Sequence, residues 1–298
     1  MAMNKKDLES KLRKQCSSAK LPTHYDYNVV GKNLTLKVSD SGLKANMQTD
    51  DGAFESWALI LKFYLSDIID TVTIDWEDIT KKTGHFNRFV YRLAKFVQTY
   101  DWAKSAKPIP DIPTILVCNC PNGEAAPKEK HEKGSEGWIE CEFVEKEKVN
   151  YDIINHQFPV GLFKNTVKKS ESFTTRGKSA IDIWAAKDNQ FYIFELKKDD
   201  NISAGIISEL MFYTNVVNDL FSHRIQYESD NAKKAIKENY RGFGDFYKLY
   251  NSGTVKTINA VLLAEELHPL ITKELISFIN NSARYKYNHI VFSTSSPK

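Results

Sequence analysis

Cysteine is scarce in this chain: there are 4 in 298 residues, and Cys16, Cys118, Cys120 and Cys141 follow no regular spacing. That excludes the disulfide framework that staples small secreted domains. Long apolar runs are lacking as well. A membrane span requires roughly 18 to 20 apolar residues in succession, and the richest stretch, 53–69, is interrupted by Glu55, Lys62, Ser66 and Asp67. The opening MAMNKKDLESKLRK carries basic residues with no apolar segment behind them, unlike a secretory signal. Together these lacks point to a reduced, cytoplasmic protein. An excess of charge of one sign is also missing, since 41 Lys+Arg against 38 Asp+Glu leave a net +3. A histone-like binder is excluded, and any nucleic-acid surface must be a local patch.

What is present is ample material for a core. The chain is 42% hydrophobic and 12% aromatic, which offsets chain entropy and excludes disorder of the whole chain. Its length suits one large domain or two smaller ones, and there is no fixed-period repeat. The first third reads as a charged helical arm over 5–20, a strand at Leu34–Val38, a helix over 51–70, a strand at Val72–Trp76 and a helix over 86–100. In the 51–70 helix, Phe54, Trp57, Ala58, Leu61, Leu65 and Ile68 fall on one face at helical spacing. Glu55 falls with Lys62 and Ser66 on its polar side. On the second helix Arg88, Arg92 and Lys95 form a polar face that reads as solvated.

The middle holds strand-like runs at Thr114–Cys118 and Trp138–Val144, separated by the polar, Gly/Pro-containing PNGEAAPKEKHEKGSEG, which reads as a hairpin loop. From about residue 150 the pattern becomes strands at 179–187, 190–197, 257–264 and 289–293 with helices over 202–225 and 268–281. The expected division is a region of residues 1–149, mixed and helix-rich, and an α/β (α+β) sheet domain of residues 150–298.

The stretch that carries chemistry is SAIDIWAAKDNQFYIFELKK, residues 179–198. Asp182 sits in one apolar strand and Glu195 in the next, and a carboxylate in a buried strand is costly unless paired or metal-bound. Asp188-Asn189 between them suits the positive φ angles of a two-residue hairpin turn. That turn would pair Lys187 with Gln190 and bring Asp182 opposite Glu195, with Lys197 on the same face as Glu195. A three-residue loop would shift the register by one and separate them. Two carboxylates so close call for a cation between them, and Mg²⁺ or Mn²⁺, which take one or two carboxylates plus water and substrate phosphate, are the natural occupants. Such an ion activates water and polarises a phosphodiester.

Asp182 followed by Glu195-Leu196-Lys197 resembles the active-site signature of the PD-(D/E)xK nucleases, the restriction-endonuclease-like superfamily. The resemblance covers about 150–265, with Ile181 standing where the name of the signature has proline. It implies a mixed sheet flanked by helices, Asp182 and Glu195 as metal-binding carboxylates, the Leu196 carbonyl as a further metal ligand, and Lys197 assisting the nucleophile. Of the acidic-x-Lys patterns in the chain, the other, Glu9-Ser10-Lys11, lacks a preceding strand. By the same resemblance Glu209, on the flank of the helix after the motif, is an auxiliary active-site residue, and Glu55 is a weaker candidate for a first-helix acid. Lys169, Arg176, Lys178 and Lys198 flank the motif as phosphate-binding candidates. The implied activity is a Mg²⁺-dependent endonuclease acting on nucleic acid, DNA favoured, in restriction or phage defence, and double-strand cutting would favour a homodimer. The alternative is a nuclease-fold module that binds nucleic acid or a protein partner without cutting.

Three further features read as structural. Cys118, Cys120, His131 and Cys141 lack zinc-site spacing, and the cysteines serve better as small hydrophobes. His156 reads as a structural residue, and Lys233, Lys234, Lys237 and Arg241 as a solvated helix face.

Overall fold

A computed structural model of the chain describes residues 3–79, 82–175, 179–198 and 203–297. In chain order the elements are β1 (Met3–Asn4), α1 (Lys5–Leu12), β2 (Tyr25–Val30), β3 (Asn33–Val38), α2 (Asp40–Lys44), α3 (Phe54–Tyr64), β4 (Thr71–Trp76), α4 (Gly84–Thr99) and β5 (Ala103–Ser105). There follow β6 (Leu116–Cys118), α5 (Glu136–Glu147), β7 (Ile153–Pro159), β8 (Leu162–Phe163), β9 (Ala180–Lys187), β10 (Gln190–Lys197) and α6 (Gly205–Phe221). The last are β11 (Ile225–Tyr227), α7 (Ser229–Glu238), α8 (Phe243–Ser252), β12 (Thr257–Ala264), α9 (Lys273–Ser282) and β13 (His289–Ser295). The fold is mixed α/β, three mixed sheets flanked by helices, as the sequence leads one to expect. No helix among the described residues is long and apolar enough to cross a membrane.

The chain sorts into two compact units. One comprises Met1–Ile112, Ile202–Glu209 and Leu267–Lys286, and the other Pro113–Asn201, Leu210–Glu266 and Tyr287–Lys298. The single cut expected near residue 150 is replaced by this interleaving. Its cause on one side is α5, whose Phe143 and Val144 pack on Ile183, Phe194 and Leu196 of the later sheet. On the other side it is α9, whose Phe278 packs on Phe63 and Trp102, while the Arg284 N–H donates to the Thr99 carbonyl at 2.7 Å.

The first unit is built on a five-stranded sheet in the order β1-β2-β3-β4-β5. Strands β2 and β3 form an antiparallel hairpin, and β3, β4 and β5 run parallel. Period-two alternation buries Leu34, Leu36 and Val38 of β3 with Val72, Ile74 and Trp76 of β4. The basic face of α4 is not solvated: Arg92 is only 5% exposed and Glu55 of α3 only 2%. Arg92 grips Glu55 with both ends of its guanidinium, Nε donating to Oε1 at 2.7 Å and the Nη2 group to Oε2 and to the Gly52 carbonyl. The Ser208 hydroxyl donates to the same carboxylate at 2.9 Å, and the Phe54 ring lies under the guanidinium. The polar faces of the two helices thus face each other, so their charges are buried as a pair.

The second unit holds a five-stranded sheet in the order β13-β12-β10-β9-β7 and a small sheet β11-β6-β8. Strands β7, β9 and β10 are antiparallel neighbours, while β10, β12 and β13 are parallel. One face of the large sheet packs on α5 through Ile183, Ala185, Phe194, Leu196, Val261 and Leu263. Among the rings of the opposite-facing residues, Trp184 stacks on Phe191, and both meet Phe246 of α8 edge-on.

Two local readings are overturned here. Residues 138–144 are not a strand but part of α5, because Ser135 caps the helix by accepting from the Trp138 N–H and the pairs Ile139/Phe143 and Glu140/Val144 line up at i,i+4. Residues 153–159, polar at His156 and Gln157, form β7, an element not assigned from the sequence. Arg241 is not on a solvated helix face: its Nη1 donates to the Gln157 carbonyl at 2.6 Å and its Nε to the Gly123 carbonyl at 3.1 Å. Next to it Gly242 has φ +73, and a Cβ there would lie 2.3 Å from the Asn155 amide nitrogen and 2.8 Å from the Trp184 ring. Only glycine satisfies both conditions.

Candidate active site

Everything in the site depends on the turn between β9 and β10. Asp188 and Asn189 have φ of +49 and +62, the left-handed pair of a two-residue hairpin, and Lys187 pairs with Gln190. The ladder then runs without slip to Ile183–Phe194. Continued by one step this register would set Asp182 opposite Glu195, the pairing expected from the sequence, but the paired residues end at Ile183–Phe194. At that step the ladder stops, and the Leu196 N–H donates to Asp182 Oδ2 at 2.9 Å. The side chain has taken the acceptor role that a strand carbonyl would fill, so the Asp182 carboxylate is tied to the β10 backbone. Because N–H and C=O of one residue point to the same side of an extended strand, the Leu196 carbonyl is turned toward Asp182 as well.

Glu195 and Lys197 lie two residues apart on the same face of β10. Lys197 Nζ donates to Glu195 Oε1 at 2.6 Å. Glu195 is 1% exposed and Lys197 6% exposed, so the pair is screened little by solvent. In the parallel register Glu195 neighbours Leu262 and Lys197 neighbours Ala264 of β12. The site therefore sits at the carboxyl ends of parallel strands, where open α/β sheets place ligands. Asp182 is half-buried.

The fold thus brings together Asp182, Glu195, Leu196 and Lys197. Glu209 belongs to the other unit, where it is buried and accepts from the Gln48 amide, Nε2 to Oε1, at 2.6 Å. Lys198 is exposed at the end of β10, and Lys169 is exposed on a short 3₁₀ turn. Arg176 and Lys178 lie outside the described residues. Glu55 is occupied by Arg92 and Ser208, as a structural anion.

Sequence reasoning missed a half-buried polar cluster on the α5 side of the unit, built around the buried Glu140. Glu140 of α5 accepts from Gln157 Nε2 at 2.8 Å and lies 3.5 Å from His156 Nδ1. Gln157 holds φ +56, a left-handed residue inside β7. The signal that could have exposed it is a glutamate repeating every four residues with the apolar positions of a helix, which the strand reading of 138–144 concealed. Cys118 and Cys120 are pushed up by burial, Cys120 to about 12, so neither thiol ionises readily near neutral pH.

Among the described residues no group of three or more His, Cys, Asp or Glu is arranged to hold a metal ion. Asp182, tied to the Leu196 N–H, and Glu195, the residue before Leu196 on β10, supply two hard carboxylates. That donor set fits Mg²⁺ or Mn²⁺, whose remaining positions are filled by water and phosphate, and does not fit a closed zinc site. Comparison of the chain with family models, with curated proteins and with solved structures returns no match.

Proposed function

We propose that this chain is a metal-dependent nuclease of PD-(D/E)xK type that hydrolyses phosphodiester bonds of nucleic acid, DNA foremost, with restriction or phage defence as its setting. The observation that supports this reading is that one hairpin gathers the signature residues: Asp182 is tied to the Leu196 N–H, next to Glu195, and Lys197 is paired with Glu195. Asp182, Glu195 and the Leu196 carbonyl would hold Mg²⁺ or Mn²⁺, which when bound lowers the pKa of a coordinated water and polarises the scissile phosphate. Asp182, tied to the Leu196 N–H, is fixed in position before any ligand arrives. Lys197, held by Glu195 in a poorly solvated place, presents a fixed positive charge to the negative charge that develops on phosphorus. Lys198 and Lys169 serve as phosphate contacts beside it, which position substrate without reading sequence.

A panel of plasmid, linear duplex DNA, single-stranded DNA and RNA, incubated with Mg²⁺ or Mn²⁺ and with chelator, tests the reading. Cleavage of at least one substrate that chelator abolishes is the expected outcome and names the substrate class. Binding of nucleic acid with no cleavage of any substrate under either metal would instead favour the module that binds without cutting.

A further inference from the structure

Asp182 has a neighbour on β7 as well as on β10. In the β7–β9 ladder His156 pairs with Ile183 and Phe158 with Ile181, so Gln157 is the β7 residue that lies beside Asp182. In a regular antiparallel pair such neighbours stand on one face with Cβ atoms about 4.5 to 5.5 Å apart. Ile183, Ala185 and Leu196 face α5, so alternation turns Asp182 and Glu195 to the opposite face, and a regular Gln157 would join them there.

Gln157 instead has φ +56, and its side chain turns to the α5 side, where Nε2 donates at 2.8 Å to Oε2 of the buried Glu140. The next residue, Phe158, then packs against Trp184, Phe243 and Phe246. A left-handed glutamine persists only where its surroundings over-determine it. Arg241 supplies the second hold. Its Nη1 donates to the Gln157 carbonyl at 2.6 Å, and its own carbonyl accepts from Trp184 Nε1 at 3.3 Å. Arg241 is fixed in turn by the Gly123 carbonyl, which accepts from Nε at 3.1 Å, and by Glu124, whose Oε2 accepts from its backbone N–H at 3.1 Å. One side chain and its backbone thus tie β7 beside Asp182 to β9 two residues beyond it. All of these residues belong to one unit.

We propose that Gln157 is a positioning residue for Asp182. Its left-handed turn, clamped by Glu140 and Arg241, keeps its side chain off the site face and holds the carboxylate where it accepts from the Leu196 N–H and takes a metal ion. The metal-holding part rests on the nuclease reading, and the placement of the carboxylate stands apart from it.

Amide hydrogen exchange of the metal-free chain, read by NMR, and calorimetric binding of Mn²⁺ test this in wild type, Gln157→Gly, Gln157→Ala and Gln157→Val. Glycine adopts positive φ at no steric cost and keeps the turn, whereas valine rejects it and returns a side chain to the position beside Asp182. In Gln157→Val the Leu196 amide is expected to exchange at least about fivefold faster than in wild type, the net worth of one hydrogen bond. The Ile193 amide, within the ladder, is the reference, because a general loss of stability speeds both. Mn²⁺ affinity is expected to fall about ten- to a hundredfold, the range for losing a group that orients a metal ligand. Gln157→Gly is expected to stay within about twofold of wild type in both readouts. Gln157→Ala, which strains the turn without bulk, is expected to fall between them, and it decides the matter if Gln157→Val fails to fold. Leu196 exchange unchanged relative to Ile193 in Gln157→Val and Gln157→Ala, or lost equally in Gln157→Gly, overturns the proposal. Faster Leu196 exchange with Mn²⁺ affinity unchanged overturns its metal-holding part. If Leu196 responds as expected while wild type binds no Mn²⁺, the placement of Asp182 stands and the nuclease reading falls.

Discussion

The Leu196 N–H donates to Asp182 Oδ2 at 2.9 Å where the β9–β10 ladder ends. The carboxylate therefore has a structural duty as well as its proposed chemical one, and two substitutions separate them. Asp182→Asn keeps an oxygen acceptor and is expected to change unfolding free energy by less than about 1 kcal/mol, the net worth of one ordinary hydrogen bond. Asp182→Ala leaves a buried N–H without its acceptor and is expected to cost about 1 to 3 kcal/mol. Urea denaturation of the two variants checks this, and equal losses in both would show that the hydrogen bond does not hold the strand end.

The turn at Asp188-Asn189 sets the register on which the site depends. Both residues occupy the left-handed region, which costs a β-branched side chain roughly 1 to 2 kcal/mol. Asn189→Ile is therefore expected to destabilise by about that amount, and Asn189→Gly to be neutral or stabilising. Inserting one glycine after Asn189 is expected to move Glu195 off the face of Asp182 and abolish metal-dependent activity in a chain that still folds. Full activity in the insertion variant would refute the register argument.

Glu55 and Arg92 form a buried ion pair in the first unit. Removing one partner strands a buried charge, so Arg92→Ala is expected to cost about 3 to 5 kcal/mol. Glu55→Met with Arg92→Met replaces both charges by apolar groups and is expected to recover most of that loss. A double-mutant cycle by urea denaturation reads the coupling, and additive losses would show that the two residues do not act as a pair.

His268 carries a pH dependence. Burial lowers its pKa from 6.5, against a smaller opposing effect of Asp50, and its Nδ1 accepts from the Leu270 N–H at 3.2 Å while the ring meets Trp57 edge-on. The folded chain thus favours the neutral ring. The unfolded state binds more protons between the lowered pKa and 6.5, so this group's contribution is complete above 6.5 and is lost as pH falls through that window. His268→Asn keeps an acceptor without titrating there. Its urea midpoint is expected to fall less than that of wild type between about pH 7 and pH 5; parallel curves would remove His268 as a cause.

The parts of the fold legible in the sequence are those set by local rules. Asp188-Asn189 fixed its own turn, and with it the pairing of β9 with β10, because positive φ is a property of those residues. β12, apolar and β-branched, was legible to the residue. Where long-range partners decide, the sequence is silent. Arg88, Arg92 and Lys95 look the same to a periodicity argument whether they face water or are buried, as Arg92 is against Glu55. Trp138–Val144 alternates well enough for a strand, and Ser135 capping with packing on Ile183 and Phe194 makes it a helix.

The most direct test of the central claim is cleavage by wild type beside Asp182→Asn and Lys197→Ala, on the nucleic acid that the wild-type chain cuts, with Mg²⁺ present. Asp182→Asn keeps the hydrogen bond to Leu196 and removes only charge, so loss of activity in it reports on chemistry and not on folding. Cleavage by wild type that both variants lose by at least about a hundredfold, roughly 2.7 kcal/mol of transition-state stabilisation, is the predicted result. Cleavage that persists unchanged in either variant would contradict the assignment of this hairpin as the active site.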